Sequence, residues 1–254
     1  MADYGFDTEN LKRDDLISFE EFHIRGREAT VEMIQLASVT DAMKVLDIGC
    51  GIGGPARTLA HECDCHVTGI DLTEEFINAA KELSQRVGLA EKTSFLNCSA
   101  LDLPFEDKSF DLAWMVHVNM NVPDKATLLS EAFRVLKPGA TLAVYEIFAA
   151  QDGALPEYPV PWADRAEISF LTTPETFRNI ARQTGFVEES WRDVREQSAK
   201  WFANMLNSPP PEKPKLTLSL INGSDFSSKA RNVLTALEDR RLTVAQAKFT
   251  RPSS

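Results

Sequence analysis

Along the chain, short apolar runs alternate with longer segments whose apolar residues fall three and four positions apart. The runs Lys44–Ile48, His66–Ile70, Thr93–Asn97, Phe110–Val116 and Thr141–Phe148 predict five strands, and Phe186–Trp191 a sixth. In Thr73–Gly88, the residues Phe76, Ile77, Ala80, Leu83 and Val87 share one helical face, with Thr73 as N-cap, Glu74 and Glu75 in the first turn and Gly88 as the stop. Asp124–Leu136 repeats this rhythm and is closed by Lys137-Pro138-Gly139. Pro55–Glu62 and Glu28–Ala37 read as further helices. Thr173, Pro174 and Gly185 punctuate another. Lys200–Asn207 and Ser227–Arg240 look helical on either side of the proline-rich linker SPPPEKPK, and Leu242–Phe249 reads as an antiparallel last strand closing the sheet. Residues 1–15 are polar and read as loose. Strands alternating with helices predict an α/β fold with a doubly wound, mostly parallel sheet of seven strands.

The stretch Met43–Leu72 gives this pattern a site. Its first strand ends at Asp47-Ile48 and runs into Gly49-Cys50-Gly51-Ile52-Gly53-Gly54, followed by a helix and a second strand that stops at Asp71. Strand, glycine turn, helix, strand and terminal acid form a nucleotide-binding βαβ unit. Gly49, Gly51 and Gly54 satisfy GxGxxG, the dinucleotide pattern. Gly49, Gly51 and Gly53 equally satisfy GxGxG with Asp47 two residues upstream. A carboxylate beside the turn repels a pyrophosphate and suits a ligand carrying an ammonium and a sulfonium.

Composition narrows the partner. A formal charge of −11 disfavours nucleic acid, which needs a basic face, and points to a small molecule. No apolar run approaches membrane-spanning length, and MADYGFDTENLKRDD lacks a signal-peptide core, so a cytoplasmic protein with no membrane partner is expected. Cys50, Cys63, Cys65 and Cys98 do not make a disulfide framework in a chain of 254 residues, and Cys63-Asp64-Cys65 has no second Cys or His pair at zinc spacing, so no metal site is expected. Oligomeric state is not legible.

Three blocks, VLDIGCGIGGPARTLA, LDLPFEDKSFDLAW and EAFRVLKPGATLAVYEIF, stand in the order and spacing of the class I S-adenosylmethionine (SAM) dependent methyltransferases, which the chain resembles over residues 20–190. The likeness is to the small-molecule group: sarcosine and dimethylglycine N-methyltransferases, quinone and tocopherol C-methyltransferases, and natural-product O-methyltransferases. The resemblance implies a Rossmann-like domain over residues 41–254. It implies a helical lid over residues 1–40 and substrate-covering segments at about 149–172 and 198–241. It also implies SAM as cofactor. Asp47, Gly49, Gly51 and Gly53 would line its methionine and ribose part, Asp71 would take the ribose hydroxyls, and Leu72, Ser99, Ala100 and Leu101 would hold adenine. At Ser99 many members carry an Asp, so the bond to adenine is weaker here. His117 would lie at the reacting end.

Methyl transfer needs alignment, exclusion of water and a deprotonated nucleophile. A hydroxyl acceptor needs a base, an amine only its neutral form. His117 is the first candidate base, on the premise of an imidazole near its ordinary pKa, and His23 the second. Phe22-His23-Ile24-Arg25-Gly26 reads either as a capping segment with His23 and Arg25 solvated, or as a lid bringing one of them to substrate or to the SAM carboxylate. Glu146 either orients a substrate or is buried for structure. Trp114 and Met115 read as packing. Tyr158 and Trp162, in a proline-stiffened loop over 149–170, either wall a substrate pocket or are incidental. The expected activity is methyl transfer from SAM to a small-molecule amine or hydroxyl. The alternatives are a non-catalytic SAM- or nucleoside-binding protein and an NAD-dependent oxidoreductase.

Overall fold

The computed structural model describes residues 11–150, 154–208 and 223–253. Strands β1 (Lys44–Ile48), β2 (His66–Asp71), β3 (Thr93–Asn97), β4 (Phe110–Val116), β5 (Leu136–Ala149), β6 (Val187–Asp193) and β7 (Leu242–Thr250) build one sheet in the order β3-β2-β1-β4-β5-β7-β6. The first five pair in parallel, and β7 runs antiparallel to both neighbours. The strands match the expected spans with two differences. β7 sits between β5 and β6, so β6 and not the last strand forms the edge. β5 begins at Leu136: Phe110 pairs with Leu136 and Leu112 with Thr141, so Lys137–Ala140 bulge from the ladder instead of merely closing a helix.

Eight helices accompany the sheet among the described residues: α1 (Arg13–Glu20), α2 (Gly26–Ala37), α3 (Gly54–Cys63), α4 (Glu74–Arg86), α5 (Lys125–Val135), α6 (Pro174–Thr184), α7 (Arg195–Asn207) and α8 (Phe226–Glu238). One sheet face packs on α2, α3, α7 and α8 through Met33, Leu59, Phe202 and Val233. The other packs on α5 and α6 through Leu129, Ala132, Phe177 and Ala181. Thr173 caps α6 by accepting the Thr176 N–H, and Gly185 ends it at φ +110°. Thr73 stands at the N-cap of α4 without a side-chain capping bond, and its own N–H goes to the Asp71 carboxylate at 2.9 Å. The linker SPPPEKPK lies beyond Ser208 outside the described residues, as do residues 1–10 and 151–153.

The N-terminal segment differs most from its sequence reading. Arg13, expected in a loose tail, is buried and opens α1. Leu11, Leu16 and Phe19 pack against Ile52. Under this apolar contact lies a buried polar network. Arg57 on α3 donates two hydrogen bonds to Glu20, at 2.8 and 2.9 Å, and Arg13 donates to the other Glu20 oxygen. Glu21 accepts from Thr58 and, at 2.6 Å, from Thr30. Each charge has an opposite partner, although Arg13 Nε takes no hydrogen bond among the described residues, and removing one partner of such a buried pair costs about 3–5 kcal/mol. The network fixes α1 and the following turn over α3.

Candidate active site

The chain leaves β1 toward β2 and β3 and returns on the other side to β4, which opens a crevice at the carboxyl ends of β1 and β4. A cavity of about 660 Å³ occupies this crevice. Segments after four strands line it: Gly49–Gly51, Asp71–Thr73, Cys98–Leu101 and Val116–Val118.

The glycine turn is bound to β2. Cys50 N–H donates to the Ile70 carbonyl at 2.8 Å, and Gly51 N–H to the Asp71 carboxylate at 3.0 Å. Gly49, Gly51 and Gly53 all have positive φ, at 71°, 54° and 79°. At Gly51 a side chain is also excluded by contact, because a Cβ would stand 2.5 Å from the Phe22 ring that reaches down from the N-terminal segment. Gly53 does not line the cavity; it turns its back on it, against Phe95 and Arg57. Gly54 is also off the cavity, pressed under the backbone of Glu20.

Asp47 is buried on the cavity wall, and its Oδ2 takes no hydrogen bond from any described residue. Burial, with Asp71 and Glu21 nearby, pushes its carboxyl up to about 8. A buried carboxyl oxygen without a hydrogen-bond partner on a cavity wall suits a ligand that brings a cationic donor, such as the ammonium of SAM. Across the crevice, Leu72 is 73% exposed on the cavity surface, an apolar face that adenine would cover. The Ser99 hydroxyl already accepts the Leu101 N–H at 3.1 Å, so one of its two acceptor positions is used locally. The residues present therefore fit SAM: an acid for the ammonium, a second acid at the strand tip for hydroxyls, and an apolar shelf for the base.

The turn after β4 brings two imidazoles and a phenol together at the cavity. His117 has φ +54° and its N–H donates to the Tyr145 carbonyl at 2.9 Å. Its ring stacks on Tyr145 at 4.9 Å between centroids, and His23 meets it edge-on at 6.0 Å. His117 Nε2 is buried without a hydrogen-bond partner among the described residues. Burial and the neighbouring His23 push its pKa well below the ordinary histidine value, and burial lowers that of His23 as well. Both imidazoles are therefore neutral at neutral pH, and neither titrates near its ordinary value as the sequence suggested. His23 is held by Nε2 against the Gly26 carbonyl at 2.9 Å. Tyr145 is anchored by its hydroxyl, which donates to the Ile24 carbonyl at 3.1 Å.

Two ionisable groups near this turn serve the backbone. Glu146 is fully buried off the cavity, and its oxygens accept the Val118 N–H at 2.9 and 3.0 Å. Burial raises its carboxyl to about 8. Lys125 donates to the carbonyls of Asn119, Val122 and Phe170. Together they fix the loop that presents His117 and Val118. Arg25 is neither solvated nor at the cavity: it is buried and bonded to Glu28 at 2.6 Å and Glu32 at 2.6 and 3.0 Å. Trp114 and Met115 lie in the core behind the cavity.

Of the residues singled out from sequence, His23, Asp47, Gly49, Gly51, Asp71, Leu72, Ser99, Ala100, Leu101 and His117 all line one cavity, and Gly53 does not. Beyond His117 the cavity continues between Ile147, Trp162, Trp201, Phe202, Phe226 and Val233. Of these only Trp162 was marked in the sequence. The Trp201-Phe202 pair in a short amphipathic segment was the available signal for α7. Trp162 is oriented by its Nε1–H bond to Ser169 Oγ at 2.9 Å, and α8 is tied to the same loop by Asn232 donating to the Pro159 carbonyl at 2.9 Å.

Residues 46–144 match the methyltransferase domain family. The chain is similar to the sterol 24-C-methyltransferase erg6 of Aspergillus fumigatus, 38% identical over 122 residues, covering 47% of this chain and 32% of that protein. It is 29% identical over 179 residues to the O-methyltransferase rstn1 of Aspergillus nomiae, covering 70% and 80%. The chain thus spans about a third of the sterol enzyme and four-fifths of the O-methyltransferase. In fold it superposes on the geranyl diphosphate C-methyltransferase of Streptomyces coelicolor, solved with S-adenosylhomocysteine, with a TM-score of 0.74 at 16% identity over 89% of this chain and 78% of that one. Asp47, the glycine turn and Asp71 gather around one crevice in a seven-stranded sheet with an antiparallel β7, and this chain carries a class I SAM-dependent methyltransferase domain.

Proposed function

We propose that the protein transfers a methyl group from SAM to a small-molecule acceptor, through a hydroxyl or an amine. The observation that carries this reading is the presence, in one cavity, of two buried polar atoms without partners: Asp47 Oδ2 on the cofactor side and His117 Nε2 at the reacting end. When bound, SAM supplies a methyl carbon on a positively charged sulfur, and its transfer leaves the bonding pair on sulfur. Asp47 takes the ammonium and becomes ionised in doing so. Asp71, already committed to two backbone N–H groups, offers its remaining acceptor positions to the ribose. Leu72, Ser99, Ala100 and Leu101 hold the base, Gly49 and Gly51 admit the ligand to the backbone, and Gly53 shapes the turn from behind.

His117 takes the acceptor's proton at Nε2, and His23 and Tyr145 hold its ring in place. Residues 11–40 act as the lid; residues 154–172 and the helices α7 and α8 cover the acceptor. The relatives named as sterol, geranyl diphosphate and O-methyltransferases act on small molecules, which supports the acceptor class. Among the described residues no helix is long and apolar enough to cross a membrane, and the charge of −11 speaks against a nucleic-acid partner. Four free cysteines suit a reducing compartment, and we place the protein in the cytoplasm.

The test uses methyl-labelled SAM with purified protein and small-molecule extracts, following label into non-protein products. A labelled product supports the reading. S-Adenosylhomocysteine binding without a labelled product leaves a binding protein, and absence of binding removes the assignment.

A further inference from the structure

Resting on the methyl-transfer reading, we infer that the acceptor is an uncharged hydroxyl compound with an apolar, ring-bearing body. The acceptor half of the cavity supplies ring faces and branched carbons: Trp162, Trp201, Phe202 and Phe226 with Ile147 and Val233. The first tryptophan is locked by Ser169, so its face is fixed before a ligand arrives.

The charged groups bordering this space are already paired. Lys229 and Asp164 line the cavity, and the Lys229 Nζ lies 3.1 Å from Asp164 and 3.3 Å from Asp225; both carboxylates are exposed, so the second negative charge of this trio sits in water at the rim and not against the aromatic walls. Glu20 is held between Arg13 and Arg57. Glu146 is bonded to Val118 N–H and lies outside the cavity. Among the described residues, the acceptor side offers no unpaired carboxylate for an alkylammonium and no unpaired cation for a carboxylate or phosphate. A charged acceptor would be stripped of water against aromatic walls without a counter-charge, at a cost of several kcal/mol. An aliphatic amine is mostly an ammonium at neutral pH and meets this barrier; a hydroxyl does not.

The polar groups that remain suit a hydroxyl. His117 Nε2 is unpartnered, and the ring is neutral because burial lowers its pKa. The acceptor oxygen forms its bond to the methyl carbon as the carbon–sulfur bond breaks toward sulfur, and the hydroxyl proton passes to His117 Nε2, from which water later removes it. The cofactor's positive charge becomes the imidazolium's, so charge is conserved.

The experiment uses the full chain saturated with S-adenosylhomocysteine and reads quenching of tryptophan fluorescence by three probes of one body: 1-naphthol, 1-naphthoate and 1-naphthylmethylamine. The naphthol is expected to bind at least tenfold more tightly than either charged probe, and Trp201→Ala to weaken it by a further tenfold, with Trp201→Phe between the two. In a parallel assay with labelled SAM, the label is expected on oxygen. Equal or tighter binding of a charged probe, or no binding of any probe, overturns the inference. Calorimetry with S-adenosylhomocysteine on the same protein before it is saturated separates the readings: absence of that binding sinks the methyltransferase assignment itself, whereas binding with the wrong probe order sinks only the acceptor class.

Discussion

A Cβ on Gly54 would stand 2.1 Å from the carbonyl oxygen of Glu20, so the first turn of α3 and the end of α1 touch backbone to backbone. This is the glycine that completes GxGxxG. Its reason is steric and lies in the N-terminal segment: only hydrogen leaves room for the turn that brings Glu20 onto Arg57 and Phe22 over Gly51.

Gly54→Ala tests that contact. Alanine is preferred over glycine inside a helix by about 1 kcal/mol, so an uncrowded site would gain stability. Here overpacking is expected to cost about 1–3 kcal/mol in denaturant unfolding and to weaken S-adenosylhomocysteine binding as Phe22 is displaced. A variant as stable as the parent would show that Glu20 yields freely.

Asp47→Asn is expected to separate stability from binding. The folded carboxyl titrates near about 8, whereas an unfolded aspartate titrates near about 4. Between these values the unfolded chain has lost the proton and the folded one keeps it, so Asp47 makes stability fall as pH rises. The variant should match the parent near pH 4 and exceed it increasingly toward pH 8, at roughly 2–4 °C in Tm per kcal/mol. Its S-adenosylhomocysteine affinity should drop at least about tenfold, since a charge-assisted bond is lost. Glu146 also titrates high, so only the difference between the two melting curves reports Asp47.

For His117→Ala, turnover is expected to fall at least about tenfold with S-adenosylhomocysteine affinity kept within a few-fold. With SAM saturating, so that Asp47 is already ionised, the parent's kcat should be flat with pH from the ordinary histidine pKa upward. Activity should be lost only as pH falls well below that value, because the base must be neutral and its pKa is lowered. A profile with an inflection at or above the ordinary value would assign the base elsewhere.

Glu146→Ala removes the acceptor of the Val118 N–H and leaves that group buried, at about 1–3 kcal/mol. Because the loop then loses its anchor, kcat should fall more than cofactor affinity. Glu146→Gln keeps one acceptor oxygen and should restore most of both. If the two variants behave alike, the bond to the Val118 N–H is not what anchors the loop.

The sheet was legible because five parallel strands, each bounded by turn residues, repeat one signal, a short apolar run, and Asp47, the glycine turn and Asp71 were legible because their spacing is local. What escaped depended on partners far along the chain. α1 reads as polar, and Arg13 and Glu20 become core residues only once Arg57 supplies the opposing charge. Arg25 looked available until Glu28 and Glu32 closed on it. Nothing local in Leu242–Phe249 says that it enters between β5 and β6. The aromatic wall was illegible for the same reason: Trp162, Trp201 and Phe226 come from three separate segments.

The late insertion of β7 has a consequence for synthesis. Until Leu242–Thr250 leaves the ribosome, β5 carries an unpaired edge along its length and β6 has no strand beside it. A nascent chain therefore holds an open, apolar five-stranded ribbon whose exposed edge can recruit another copy. A product cut short ahead of Leu242 keeps that edge open for good, and association with other copies, not partial activity, is the outcome expected of it.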